Sequence, residues 1–460
     1  MKRTLAAFAQ LAGGRLVGAD RAYTEVVSDT RNLSAGQLFV ALHGPQFNGN
    51  DFLAAAGAAG AAGALVDREQ SVPLAQIVVA DTQAALERAA RLWRDAFDGA
   101  LIGVAGSNGK TTTKEMTAAI LARAGPCLAT RGNLNNHIGV PLTLLRLTGA
   151  ERFAVVEMGA NHAGEVAQLV AVARPTVGLI TNAGAEHLEG FGSLEGVARA
   201  EGEMVAGLSP TATAVINADD EFAPLWRRST PARVVTFGVR AAADFSASEV
   251  QTEVGTEGFA TRFRLSAPLG AAAIRLSLGG VHNIANALAA AAAAAAAGAR
   301  LEHIVAGLAA VRAVPGRLQF RAATGGGWLI DDSYNANPSS VRAAIELLAT
   351  LPGRRWLVLA DMAELGEFAL AEHAAIGEFA RHSGIERLYA TGTLAQRAVE
   401  SFGAGAQWLP DVPALATALR AALDGGGADV RVLIKGSRFN RLERVVEALT
   451  AAPLRSSGGH

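Results

Sequence analysis

Cysteine is all but absent from these 460 residues, Cys127 being the only one. A lone thiol excludes an internal disulfide and any cysteine-based metal site, and it fits a reducing, cytoplasmic compartment. By itself Cys127 reads as a small buried apolar residue. Long apolar runs are missing too. The longest, residues 287–298, is mostly alanine and falls short of the ~20 residues a bilayer span needs, so it predicts a buried, closely packed helix and no membrane insertion. Lys2 and Arg3 precede an apolar stretch as in a signal peptide, but Gln10 and Arg15 interrupt it. Leu5, Phe8 and Leu11 instead mark one face of a short helix. Neither charge sign dominates: 41 Lys plus Arg face 42 Asp plus Glu, which excludes bulk attraction to nucleic acid. Lysine itself is scarce. Only Lys2, Lys110, Lys114 and Lys435 occur in a chain that otherwise uses arginine, and the three internal ones fall inside two motifs, where a compact ammonium differs from a guanidinium in shape and hydration.

What remains is an ordinary globular composition, half hydrophobic and 18% charged. At roughly 100–200 residues per domain the length predicts two to four domains. Residues 1–80 mix short β-like runs, at 38–42 and 76–79, with Ala/Gly-rich helical stretches, which predicts a small α/β domain. A helix over 81–97, with Leu86, Ala89, Ala90 and Trp93 at helical spacing, leads into a second domain expected over 81–313. There a strand at 101–105, a glycine turn at 106–109 and a helix at 110–124 precede further strands at 153–157 and 177–181, the pattern of a mostly parallel, helix-covered sheet. A strand-rich stretch, 212–278, precedes a helix starting near Asn283, and Val314-Pro315-Gly316 closes the domain. Apolar runs at 328–331, 356–360, 387–390 and 430–434 alternate with helices, predicting a Rossmann-like domain over 314–460 with a frayed tail at 456–460. The expected fold class is thus three-domain α/β.

Gly106-Ser107-Asn108-Gly109-Lys110-Thr111-Thr112 lies between a predicted strand and a predicted helix, the context a phosphate loop requires. Glycines let backbone N–H groups turn to an anion, the helix N-terminus adds a positive dipole, Lys110 can reach the outer phosphates, and the Thr111 hydroxyl can bind magnesium. Two residues separate the glycines here instead of the usual four. Glu157 ends an apolar strand and would set a carboxylate beside the phosphates, where Mg2+ needs oxygen ligands. No Asn-Lys-x-Asp guanine-reading motif is present, which disfavours a GTPase.

With these stand Gly132-Asn133-Leu134-Asn135-Asn136, Glu157-Met158-Gly159-Ala160-Asn161-His162, His187-Leu188-Glu189-Gly190-Phe191-Gly192, His282-Asn283-Ile284-Ala285-Asn286, Pro315-Gly316-Arg317, residues 331–338, residues 361–366 and residues 435–438. In this order, over nearly the whole chain, they resemble the Mur ligase family, and within it most closely the branch that adds D-alanyl-D-alanine. The resemblance implies an ATP- and Mg2+-dependent ligase, acting as a monomer, that joins D-alanyl-D-alanine to UDP-N-acetylmuramoyl-tripeptide through an acyl phosphate. Carried over residue by residue, it implies that Ser28, Asp29, Thr30 and Arg31 hold the UDP end of the precursor, and that Asn133 and Asn136 bind substrate. Residues 106–112, Asn283, Asn286, Arg317 and Asp332 would serve ATP, and Tyr334, Asn335 and Asn337 the dipeptide. Lys110, Glu157 and His187 would be catalytic, with Thr111, Glu157 and His187 on the metal.

The sequence departs from the family at one point. Where many Mur ligases carry a carbamylated lysine ligand to Mg2+, this chain has Glu201, and no lysine lies between Lys114 and Lys435. Carbamylation there is impossible, and the expectation is that Glu201 supplies a carboxylate directly, on a shorter arm. The third-residue-adding ligase is disfavoured because its Asp-Asn-Pro-Arg segment is absent. Folylpolyglutamate synthase resembles the chain less over 331–338. A nucleotide-binding regulator without ligase turnover stays open.

Overall fold

A computed structural model describes residues 2–44, 46–255, 258–425 and 427–450, so the tail expected at 456–460 lies outside the described residues. Three sheets carry the architecture. The first has five short strands in the order Arg15–Val17, Gln76–Val78, Gly63–Val66, Leu38–Val40, Val26–Val27; only the first pairs antiparallel. The helix Leu5–Ala12 begins on Thr4, whose hydroxyl accepts from the Ala7 N–H, and stops at Gly13 in the left-handed conformation. It buries Leu5, Phe8, Ala9 and Ala12, while Leu11, expected on that face, is half-buried at its edge.

The helix Thr82–Asp95, capped by Asp81, buries the expected Leu86, Ala89, Ala90 and Trp93 stripe in one core that runs from Leu5 and Phe8 to one face of the second sheet. That nine-stranded sheet is parallel from Cys127–Ala129 through Phe153–Glu157, Ala100–Ala105, Val177–Ile180, Thr213–Asn217 and Arg233–Gly238 to the start of Phe245–Gly255. Two antiparallel additions, Gly258–Ala267 and Gly270–Leu276, finish it. Its central strands are apolar along their whole length because helices cover both faces. On one face lies the alanine-rich helix Val281–Ala296, whose residues Ala287 to Ala294 are buried; side chains this small let it seat closely against the helix Lys110–Leu121. Cys127 is half-buried at the edge strand, and burial pushes its thiol pKa up to about 12.

The third sheet runs Gln319–Ala322, Trp328–Asp332, Val430–Lys435, Arg354–Ala360, Arg387–Thr391, Ala406–Leu409, parallel except for the first pair. Its two outer strands were not expected from the sequence. Among the described residues, no helix is long and apolar enough to cross a membrane.

Candidate active site

The strand Ala100–Ala105 lies between Val177–Ile180 and Phe153–Glu157, so everything at the carboxyl ends of these three strands converges where the chain turns into the helix Lys110–Leu121. The short loop between them requires both of its glycines. Gly106 has φ +118°, and a Cβ there would sit 2.1 Å from the Thr181 hydroxyl. Gly109 has φ +82°, and its Cβ would sit 2.3 Å from Asn286 Oδ1. Beneath Gly109 a polar chain fixes that approach: the Thr113 hydroxyl donates to Asn286 Oδ1 (3.2 Å), Asn286 Nδ2 to Asn283 Oδ1 (3.1 Å), and Asn283 Nδ2 to the Gly279 carbonyl (2.7 Å). The loop is tied from outside as well. The Asn108 N–H donates to Asn182 Oδ1 (3.0 Å), the Thr181 hydroxyl to the Asn108 carbonyl (2.7 Å), and the Gly106 N–H to Glu201 Oε2 (2.6 Å).

Lys110 folds over this loop, Nζ donating to the carbonyls of Gly106 (2.6 Å) and Ser107 (3.0 Å) and lying 4.0 Å from Glu186 Oε1. Burial works against its charge, but Glu186, Glu201 and Glu157 outweigh that and hold its pKa above the usual lysine value. For Glu186 too burial works against the charge, but Lys110 and His187 keep its carboxyl below the ordinary range. Glu201 goes the other way: burial first, with Glu186 adding and Lys110 opposing, pushes it up to about 7.

Glu157 is 2% exposed at its strand end. Its Oε1 accepts from the Thr111 hydroxyl (3.3 Å) and Asn135 Nδ2 (2.9 Å), while Oε2 is buried with no hydrogen-bond partner. A carboxylate oxygen left unpaired beside a threonine hydroxyl at a phosphate loop is a hard oxygen set, and it fits Mg2+. His187 stands elsewhere: Nε2 lies 3.1 Å from Glu186 Oε1, and Nδ1 pairs with Glu364. Burial opposes its charge, and the two carboxylates raise its pKa. Thr111 and Glu157 are therefore together, His187 sits with Glu186, and Glu201 holds Gly106. No three His, Cys, Asp or Glu side chains gather as a ready metal centre among the described residues.

The third sheet closes the site. Arg317 Nη2 donates to the Thr111 hydroxyl (3.3 Å) and its guanidinium lies 4.4 Å from the Tyr334 ring centroid; Arg438 lies 5.6 Å from the same ring. Asn337 caps the helix Pro338–Ala349 and donates to Asn108 Oδ1 (2.8 Å) and, more weakly, to Glu186 Oε2 (3.4 Å); Asn108 Nδ2 donates in turn to the Ser339 hydroxyl (2.9 Å). Lys435, 3% exposed, donates to Asp332 Oδ2 (2.5 Å) and to the Asn335 carbonyl (3.0 Å). A cleft of about 1030 Å3 between the two sheets is lined by Asn108, Gly109, Thr112, Asn283, Asn286, Arg317 and Asp332, all expected, together with His282, Asp219 and Lys435.

His282 provides a pH signature. Burial, opposed by Asp332 and aided by Lys435, pushes its pKa down to about 4 from 6.5. Between those values the unfolded chain binds a proton that the folded chain refuses, so stability falls as pH drops through that window. Urea unfolding at about pH 7 and about pH 5 is expected to show a smaller acid loss for His282→Asn than for the parent; equal losses would assign the acid sensitivity to other groups.

Other expected residues lie apart from this cleft. Asp29 accepts from the Arg31 N–H (2.9 Å) and side chain (2.7 Å), which holds its carboxyl below the usual range, and the Arg31 side chain is exposed. Ser28 is half-buried and Thr30 starts the short 3-10 turn Thr30–Asn32. Asn133 is exposed, and Asn136 Oδ1 caps the Gly139 N–H (2.9 Å). Asn135, Glu186, Ser339, Glu364 and Lys435 belong to the site and were not singled out as site residues. Only Lys435 had a signal of its own, as a rare lysine. Asn135 and Glu364 stood in the quoted motifs 132–136 and 361–366, and Glu186 and Ser339 meet the site only through the fold.

Known proteins resemble this chain over nearly its whole length. The Mur ligase middle domain matches residues 104–294, and the Mur ligase glutamate ligase domain matches residues 316–438. A UDP-N-acetylmuramoyl-tripeptide--D-alanyl-D-alanine ligase of Escherichia coli is 44% identical, covering 97% of this chain and 98% of its own. Its Haemophilus influenzae counterpart is 37% identical over 98% of each. Among solved structures, MurF from Acinetobacter baumannii superposes with a TM-score of 0.90 at 33% identity, covering 97% of this chain and 98% of its own. MurF from Thermotoga maritima in complex with ADP does so with a TM-score of 0.80 at 28% identity, covering 92% and 96%. With a phosphate loop closed between two sheets and full-length relatives of this identity, the chain belongs to the Mur ligase family.

Proposed function

We propose that this chain joins D-alanyl-D-alanine to UDP-N-acetylmuramoyl-tripeptide at the expense of ATP, in the cytoplasmic synthesis of peptidoglycan precursor. A carboxylate does not react with an amine in water. The terminal carboxylate of the tripeptide therefore attacks the γ-phosphorus of ATP, forming an acyl phosphate as the bond to the β-phosphate oxygen breaks and ADP leaves. The dipeptide amine then attacks the acyl carbon, phosphate leaves, and the amine loses its proton. Two anions meet in the first step, and positive groups must lie where the charge develops. Lys110 is placed to move from the loop carbonyls onto the outer phosphates, and Arg317 approaches the same threonine from the third domain. Asn283, Asn286 and the Asp332–Lys435 pair line the nucleotide cleft. Tyr334, Asn335 and Asn337 face the incoming dipeptide, while residues 28–31 with Asn133 and Asn136 serve the UDP-linked precursor. Thr111 and Glu157 would hold Mg2+, which when bound neutralises charge on the phosphate oxygens, and His187, here between Glu186 and Glu364, would join them as a further ligand.

The observation that carries this reading is the pair of contacts from the third domain, Arg317 on Thr111 and Asn337 on Asn108, which make the phosphate loop a shared element of two domains. Such closure excludes water from an acyl phosphate. The test is phosphate release measured with each substrate withheld in turn.

Glu201 completes the metal side in this reading: Oε2 is committed to the Gly106 N–H, leaving the second oxygen for the ion directly or through water. Glu201→Gln keeps an acceptor for Gly106 and removes the charge. Its phosphate release is expected to fall on the order of tenfold or more at unchanged melting temperature. Activity equal to the parent would mean that Glu201 serves the loop alone.

A further inference from the structure

Glu364 lies on the turn after the strand Arg354–Ala360, in the third domain, whereas His187 follows the strand Val177–Ile180 of the second. Their side chains pair across the domain boundary, Glu364 Oε2 with His187 Nδ1. The two segments are joined at three levels. The Glu189 N–H donates to the Glu364 carbonyl (3.3 Å). Leu188 is buried in the same apolar cluster as Met362 and Leu365. Both His187 (φ +52°) and Glu364 (φ +61°) occupy the left-handed region that non-glycine residues avoid, so packing from both domains holds two unfavourable backbones in register. Glu364 is half exposed, and His187 is the partner its carboxylate finds.

We propose that Glu364 is a positioning residue: by accepting the Nδ1 proton of His187 it fixes the imidazole so that Nε2 faces the phosphate-loop side, and it does so only when the third domain is docked. This rests on the reading of His187 as a metal ligand. A ligating histidine is oriented by the acceptor on its other ring nitrogen. Here that acceptor comes from a different domain, so closure and completion of the metal side become one event. Nε2 already points to Glu186, which in turn lies 4.0 Å from Lys110.

The test compares Glu364→Ala and Glu364→Gln with the parent by two readouts. Long-range proton–nitrogen NMR of histidine-labelled protein, without nucleotide or metal, reports which His187 nitrogen carries the proton. Phosphate release against Mg2+ concentration reports the requirement for the ion. Glu364→Ala is expected to lose the fixed Nδ1–H pattern and to need roughly tenfold more Mg2+. Glu364→Gln, whose side-chain carbonyl still accepts, is expected to stay close to the parent on both. An unchanged His187 spectrum or an unchanged Mg2+ requirement in Glu364→Ala overturns the proposal, as does Glu364→Gln impaired like Glu364→Ala. Failure of the ligase reading is distinct, because the parent would then show no turnover while the NMR comparison still stands.

Discussion

Lys110→Ala is expected to lower phosphate release with both substrates present by roughly a thousandfold, the scale on which a charge placed at a transferring phosphoryl group acts. Lys110 is held in three ways, by the Gly106 and Ser107 carbonyls and by the field of Glu186, and it carries its charge despite burial. Removing it takes away the positive charge that both Glu186 and Glu201 feel, so ATP should bind less well and the bound γ-phosphate should react more slowly. Precursor binding is expected to survive, because residues 28–31 belong to the domain of the first sheet and the loop to that of the second. Steady-state kinetics with calorimetry of the UDP precursor checks both halves. A variant within tenfold of the parent would remove Lys110 from the chemistry.

Glu157→Gln is expected to lower Mg2+-dependent turnover roughly a hundredfold or more while leaving thermal stability equal to or above that of the parent. The opposite signs follow from one observation. Glu157 Oε2 is buried without a hydrogen-bond partner, which costs stability for as long as no cation is there. Glutamine preserves the shape and the acceptor that Thr111 and Asn135 use, and it removes the charge the cation needs. Thermal melts without Mg2+, beside turnover with it, separate the two effects. A variant that lost stability and activity together would make Glu157 a structural residue.

How far the sequence could be read depended on whether each feature is local. Strand, loop and Lys110 lie within a dozen residues of one another, and Glu157 ends a run apolar enough to mark a buried strand, so the phosphate loop and its acidic neighbour were legible. The alanine run 287–298 was legible as a buried helix for the same reason. The strands Gln319–Ala322 and Ala406–Leu409 were not, because edge strands are half exposed and alternate too briefly to register. Leu11 packs at the edge of the expected face, half-buried against the same core, because Ala12 takes the more central place on it. The contacts that make the cleft a two-domain site lie furthest from sequence logic. Asn108 and Ser339, or His187 and Glu364, are more than a hundred residues apart and share no periodicity. Glu201 was flagged by position, but its hydrogen bond to Gly106 depends on how the helix Leu194–Ala206 packs beneath the loop.

The most direct measurement is phosphate release from ATP and Mg2+ with UDP-N-acetylmuramoyl-tripeptide and D-alanyl-D-alanine supplied together and separately, each with and without bicarbonate. Sustained release that requires both substrates, yields the pentapeptide product by mass and is indifferent to bicarbonate is the predicted result. Release that proceeds without the dipeptide, or no release under any of these conditions, would contradict the ligase.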